Sequence, residues 1–290
     1  MGQALELAQA VRMLEWLLAW SLGVQTLEFL RIHRSGVVER IWHWPDQKDD
    51  IPDRPAWLKA TLGHLYQPAM HQAHLWLRLS VILHMAWQGS SLGHFVFLFF
   101  SAVVVLIRWR GAFNGGSDFM TLVVLTGGLL AHAVGLWSRP ELGWQAGLWY
   151  ISIHAISSYF MSGWVKLKHV QWRSGRALTI FLNGAIHGPL PADSWFRKPW
   201  LARLSAWGFI LWECAFPVAL GGPAQAQVMC AVAGIFHFLV FWFFGLNRFF
   251  LGLGDLFPCG DLLLRLGNEY LRFRLLPLIL AISIPKTLSF

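Results

Sequence analysis

The stretch HFVFLFFSAVVVLI, from His94 to Ile107, decides the fold. No Asp, Glu, Lys or Arg lies between Arg78 and Arg108, and a helix that crosses the hydrocarbon core of a bilayer needs roughly 20 mostly apolar residues. Other apolar runs lie on both sides of this one. The predicted spans are Ala8–Leu30, Met70–Trp87, His94–Ile107, Phe119–Trp137, Trp144–Val165, Leu204–Leu220 and Val228–Phe250, with a shorter eighth run at Leu275–Ile284.

The composition points the same way. Charged residues make up 13% of the 290 residues, against about 25% in soluble domains, and hydrophobic residues make up 56%. The 18 Trp and 22 Phe are typical of a helical bundle with aromatic belts at both membrane surfaces. We therefore predict an all-α, polytopic transmembrane bundle of about seven or eight spans. It forms a single domain over residues 1–290, with the lipid bilayer as its surroundings.

The basic residues divide the connections into two groups. Of the 23 Lys and Arg, 19 fall in the first, third, fifth and seventh connections, and two fall in the others. Basic residues collect on the cytoplasmic side, so the N-terminus is expected outside. The net charge of +8 thus reflects orientation, and nucleic acid is not expected as a partner. Two long connections stand out: a polar connector over residues 31–68, and a loop over residues 166–201 in which Arg176–His187 is predicted to form an amphipathic or re-entrant helix.

A row of polar residues leads to a lysine at the end of the fifth span. His154, Ser158, Ser162 and Lys166 follow one another at steps of four, so they are predicted to lie near one face of a helix. A lysine withdrawn from water can act as a neutral amine base. The alternative is that Lys166 only extends to the lipid headgroups, as lysines at helix ends commonly do.

Other polar residues inside or beside the spans are candidates for the same site, because polar groups are costly within a bilayer. Asn114 and Asp118 belong to the Gly-rich sequence FNGGSD, whose alternative role is a turn with an N-cap. Glu213 lies inside the sixth span and is expected to have a buried partner, such as Arg78 or a Trp N–H. His237 lies in the seventh span, where a satisfied core histidine is the alternative to a ligand.

The residues that usually bind metals show no ligand pattern. The three cysteines, Cys214, Cys230 and Cys259, form no CxxC pair. The twelve histidines include no repeated HxxHH box. We therefore predict no metal site.

Several motifs together resemble a known family. Gly163, Lys166, Leu167, Trp172 and Gly175 resemble the GxxKL stretch of the vitamin K-dependent gamma-carboxylase superfamily. The order of FNGGSD, Glu213 to Pro217 and Phe236-His237 resembles more closely the related bacterial proteins with a horizontally transferred transmembrane (HTTM) domain. The resemblance covers roughly residues 10 to 265.

The resemblance implies a multi-pass protein of the bacterial inner membrane, a quinone such as vitamin K as cofactor, and Lys166 as the base. The histidine that follows the Asn in the carboxylase is replaced here by Gly115. We therefore expect an enzyme that acts on a quinone-like or lipid-like substrate, with Asn114, Asp118, His154, Ser162, Glu213 and His237 lining its site. The alternatives are a non-catalytic partner of another membrane or periplasmic protein, and a transporter. Transporters tend to have paired broken helices in two repeated halves, which this sequence lacks.

Overall fold

The computed structural model describes residues 2–36, 43–50, 53–109, 115–184 and 189–244, and these residues form helices without any strand. The α-helices are α1 (Gly2–Arg34), α2 (Trp44–Gln47), α3 (Ala56–Leu65), α4 (Pro68–Gln88), α5 (Leu92–Trp109), α6 (Gly115–Trp137), α7 (Pro140–Lys168), α8 (Val170–Arg173), α9 (Arg176–Asn183), α10 (Pro199–Ala215) and α11 (Pro223–Phe244). Short 3-10 helices occupy Lys48–Asp50, Trp195–Arg197 and Phe216–Gly221.

The all-helical prediction is confirmed for the described part of the chain. Each of the seven predicted spans overlaps one long helix, in the order α1, α4, α5, α6, α7, α10 and α11. The eighth predicted span, Leu275–Ile284, lies outside the described residues. Prolines begin several of these helices, at the position where a missing backbone N–H costs nothing.

Four of the described helices are long and apolar enough to cross a membrane, fewer than the seven or eight spans predicted. They are α5, most of α6, α10 with the 3-10 helix that follows it, and α11. The other three long helices carry more polar side chains: Arg12, Glu15 and Glu28 in α1, Arg78 and three histidines in α4, and two lysines at the end of α7. The four long apolar helices are typical of a membrane protein.

The long connection after the fifth span is more ordered than a loop. Helix α7 continues through Lys166 and ends at Lys168, because the chain first becomes extended at His169. Lys166 therefore lies on a helix rather than at the start of a loop. The connection also contains α8, α9 and a 3-10 helix. Helix α9 covers most of the segment predicted to be amphipathic, with Ala177 and Leu182 buried and Phe181 exposed.

Helix α7 packs against α6 on one side and α10 on the other. Its contact with α6 depends on small residues. A Cβ added to Gly147 would collide with the carbonyl oxygen of Gly127, and one added to Gly143 would collide with the carbonyl oxygen of Ala131. Small residues let two helix backbones approach closely, which is how helices commonly associate within a bilayer.

Helices α1, α4 and α5 join α6 and α7 through a shared apolar cluster. Leu18, Ile82, Leu98, Leu125 and Leu148 are almost fully buried in one apolar cluster that joins α1, α4, α5, α6 and α7. Apolar contact area and close packing therefore hold this half of the bundle together.

A chain of hydrogen bonds between polar side chains also links three of these helices. The buried guanidinium of Arg78 donates to Gln25 Oε1 at 2.5 Å, and Gln25 Nε2 donates to Asp118 Oδ1 at 2.8 Å. These side chains come from α4, α1 and α6 and are buried. Buried polar groups are stable when they are hydrogen-bonded in this way, so the chain fixes how the three helices meet.

Candidate functional site

An ion pair joins α7 to α10. Lys166 Nζ lies 2.6 Å from both Glu213 Oε1 and Oε2, and it donates to Ser162 Oγ at 2.6 Å. The Ser162 hydroxyl donates to Glu213 Oε1 at 3.2 Å. The side chains of Lys166 and Glu213 are 15% and 3% exposed. An ammonium has three N–H donors, and these three oxygens can accept all of them.

The backbone crossing at Gly163 brings the pair together. A Cβ added to Gly163 would lie 2.7 Å from both the Cys214 backbone nitrogen and Glu213 Cβ. Without a side chain there, α10 approaches α7 one helical turn before Lys166. Glu213 is thus placed beside the lysine, whereas the sequence suggests Arg78 or a Trp N–H as its partner.

Pro217 ends the helix that carries Glu213. A proline has no N–H to donate to the carbonyl four residues earlier, which here belongs to Glu213. That carbonyl accepts from the Phe216 N–H instead, and the chain continues as a 3-10 helix over Phe216–Gly221. The acidic residue therefore lies in the last regular turn of α10.

The ion pair faces a cavity of about 700 Å³ with mostly apolar walls. Pockets for small molecules are commonly 300–1,000 Å³ and mainly hydrophobic, with a few polar groups that orient the ligand. Helices α6 to α11 and the 3-10 helix at Trp195–Arg197 contribute to the lining. Its polar members are Ser117, Ser158, Tyr159, Ser162, Lys166, Ser205, Glu213 and His237, and its aromatic walls include Phe119, Trp172, Phe181, Phe196, Phe209, Phe236, Phe243 and Phe244.

A second polar pair lies in the same cavity. The Tyr159 hydroxyl and His237 Nε2 are 2.8 Å apart, and both side chains are buried. Tyr159 stacks on Phe216, with ring centroids 4.1 Å apart. This packing fixes the tyrosine ring, so its hydroxyl has a defined position next to the histidine.

Trp172 lies over the other side of the lysine. Lys166 Nζ is 5.3 Å from the centre of the Trp172 ring, which places the cation over an aromatic face. The lysine is thus held by a carboxylate, a hydroxyl and an aromatic ring, each from a different part of the chain.

The structure brings four of the seven sequence-predicted site residues together: Ser162, Lys166, Glu213 and His237 line the cavity. Asp118 is buried and accepts a hydrogen bond from Gln25, and it is not among the residues that line the cavity. His154 is exposed, and its Nδ1 lies 2.9 Å from the Tyr150 carbonyl oxygen. Asn114 lies outside the described residues.

Two cavity residues that contact the predicted site residues were not themselves predicted. Tyr159 lies seven residues before Lys166, close to two full helical turns, so helical spacing could have indicated it. Trp172 was noted only for its place in the family resemblance. Its position over Lys166 depends on the break at His169, where α7 ends and α8 begins.

The arrangement has the parts needed to bind an amphiphile and to move a proton. Apolar walls suit a hydrophobic body, and the Lys166–Glu213 and Tyr159–His237 pairs suit a polar group that exchanges hydrogen bonds. Among the described residues, no three His, Cys, Asp or Glu side chains are placed to hold a metal ion.

Comparisons with known proteins identify no relative of this chain. No family model matches the chain, and neither the curated proteins nor the solved structures contain a match.

Proposed function

We propose that this chain is a membrane-embedded enzyme that binds a quinone-like or lipid-like molecule in the cavity and uses Lys166 as a base. The observation that carries the proposal is the largely buried Lys166–Glu213 pair at the wall of an apolar cavity of about 700 Å³. An ion pair in such surroundings costs solvation energy, and buried ionisable groups within membrane helices are typical of functional sites.

The proposed step begins with proton transfer inside the pair. At 2.6 Å, the proton of the ammonium can move from Lys166 Nζ to the Glu213 carboxylate, which leaves a neutral amine and a carboxylic acid. The amine then accepts the proton of a ligand hydroxyl. The products are a ligand oxyanion and an ammonium, which stabilises the oxyanion by charge at short distance.

We also propose how the helices around the site lie in the membrane. Helices α1, α4 and α7 would cross the bilayer with the four more apolar helices, which gives at least seven crossings. Close packing and the Arg78–Gln25–Asp118 chain support this, because polar residues of membrane helices face the bundle interior. On the same proposal, the chain resides in the bacterial inner membrane as an HTTM-type protein, with vitamin K or another quinone as its ligand.

Ligand extraction tests the binding part of the proposal. Protein purified in mild detergent should release an apolar compound that mass spectrometry can identify. Ser158→Trp, which fills the cavity, should abolish this recovery. Ser157→Trp is the matched control, because Ser157 is the neighbouring residue on the same helix and does not line the cavity. Equal recovery from both variants would show that the compound binds elsewhere.

Lys166→Arg tests the base. Arginine stays protonated and cannot accept a proton, so turnover of the recovered compound should be abolished while the protein still folds and binds. A fully active arginine variant would refute a catalytic lysine.

One observation favours the alternative of a non-catalytic partner protein. Glu213 and Ser162 already accept all three donors of Lys166, as expected of a structural ion pair. On this alternative, Lys166→Arg keeps the function, since guanidinium also pairs with carboxylate.

A further inference from the structure

The segment over residues 168–203 concentrates positive charge beside the cavity. Asp193 is its one acidic residue. Its six basic side chains are all exposed: Lys168, Arg173, Arg176, Arg197, Lys198 and Arg203. A solvated loop of mixed charge would not show this imbalance.

The polar connector over residues 31–68 provides the contrast. It has the same number of basic residues, six, but five acidic residues lie among them, including Asp46 and Asp53. The positive-inside pattern places both connections on the same side of the membrane. Orientation alone therefore does not explain why one of them is nearly neutral and the other strongly positive.

Exposed apolar side chains alternate with the charges of segment 168–203. Val170, Ile180, Phe181, Trp195 and Trp200 are each more than half exposed. A surface that combines aromatic and aliphatic side chains with lysine and arginine is typical of elements that lie at the membrane interface.

Two cation–aromatic contacts hold lysines of this surface. Lys168 Nζ lies 5.0 Å from the centre of the Trp164 ring, and Lys198 Nζ lies 3.8 Å from the centre of the Trp195 ring. Indole rings prefer the headgroup level of a bilayer. These contacts therefore suit lysines that are held at the depth of the lipid phosphates.

The same segment forms part of the cavity wall. Trp172, Leu178, Leu182 and Phe196 line the cavity, and the basic residues lie next to them in the sequence. The charged surface and the apolar cavity are thus two faces of one short stretch of chain.

We propose that the exposed basic and apolar residues of segment 168–203 described above form a binding surface for the anionic headgroups of bilayer phospholipids. Each basic residue near a membrane surface attracts anionic lipid, and several such residues act together. Exposed apolar side chains of the segment enter the headgroup region beside the bound phosphates. The surface holds anionic lipid on the segment that also lines the cavity, and this does not depend on any catalytic step.

Native mass spectrometry of the full chain in neutral detergent tests the proposal. Phosphatidylglycerol should bind, and phosphatidylcholine should bind much more weakly. The test variant changes three exposed basic residues to glutamine: Lys168, Arg173 and Arg176. Its affinity for phosphatidylglycerol should fall on the order of 100-fold, since each charge contributes roughly five-fold.

The matched control removes three exposed charges from the near-neutral connector: Arg31, Lys48 and Arg54. It should bind phosphatidylglycerol within about twofold of wild type, because the acidic neighbours there already oppose lipid binding. If the triple test variant does not fold, the three single substitutions replace it, each with a loss of roughly five-fold.

A competition experiment identifies the source of the phosphate. Millimolar inorganic phosphate should not displace phosphatidylglycerol, since it lacks the acyl chains that contact the exposed apolar residues. Displacement by inorganic phosphate would overturn a lipid surface in favour of a soluble anion site. Wild-type affinity of the triple variant, or equal losses in the test and control variants, would also overturn it.

Discussion

The Lys166–Glu213 pair predicts that two damaging substitutions partly cancel when combined. At a separation of 2.6 Å and an effective dielectric constant of about 20, the attraction between the charges is about 6 kcal/mol. Removing both charges from water costs several kcal/mol for each ion, so the net contribution of the pair to the free energy of unfolding is small.

Removing one partner alone is destabilising, because the charge of the other partner stays withdrawn from water without its counter-ion. Lys166→Met and Glu213→Leu should each lower the free energy of unfolding by about 3 to 5 kcal/mol. The double variant should lie within about 1 kcal/mol of wild type, because an apolar pair needs no solvation. Unfolding by titration with sodium dodecyl sulfate in mixed micelles, followed by far-UV circular dichroism, measures all four proteins.

Arg139→Gln is the control for this cycle. It removes an exposed charge just before the first residue of α7, and it should change the free energy of unfolding by no more than about 0.5 kcal/mol. The reasoning fails if the losses of the two single variants simply add up in the double variant, since additivity would mean that the charges do not interact.

Three further predictions follow from other contacts. Gly163→Ala should lower the free energy of unfolding by about 1 to 3 kcal/mol, because the crossing of α7 and α10 has no room for a methyl group. Gly208→Ala is the control and should raise it by up to about 1 kcal/mol, since no atom lies within 4 Å of the added Cβ. Equal effects of the two substitutions in thermal unfolding would contradict the close approach at Gly163. Asp118→Ala should cost about 1 to 3 kcal/mol in the same assay, since it leaves a buried amide without its acceptor, and an unchanged midpoint would exclude that role. Cysteine at Ser138 should react with an impermeant maleimide in intact cells and cysteine at Ser174 only after permeabilisation, above the labelling of the native cysteines; the reverse pattern would invert the topology.

The helices were predictable because their apolar runs are long. Met70–Trp87 lies within α4 (Pro68–Gln88), and Trp144–Val165 lies within α7 (Pro140–Lys168). The ends were less predictable, since prolines extend the starts and a charged last turn extends α7 through Lys166. Periodicity and length thus indicate a helix, while its last turn depends on what it packs against.

Four of the predicted residues line the cavity, but their spatial arrangement was predictable only within one helix. Ser162 and Lys166 share a face, but each step of four residues advances about 40° beyond a full turn. Three such steps turn His154 about 120° away from Lys166, and His154 is exposed. The partner of the lysine could not be predicted, because Glu213 lies 47 residues further along the chain and only the crossing at Gly163 brings it close.

The close contact between α6 and α7 also has a consequence for biogenesis. Most of α6 is long and apolar enough to enter a bilayer alone, whereas α7 is less hydrophobic. A two-residue turn joins them, and the contact between Gly127 and Gly147 lets them pair without rearrangement. If α7 crosses the bilayer as proposed, we expect the translocation machinery to release it into lipid only together with α6, as a preassembled hairpin. A bulky residue at Gly147 would then prevent α7 from inserting beside α6 and would leave it on the wrong side of the membrane. Its effect would thus arise during synthesis and not through the stability of the folded protein.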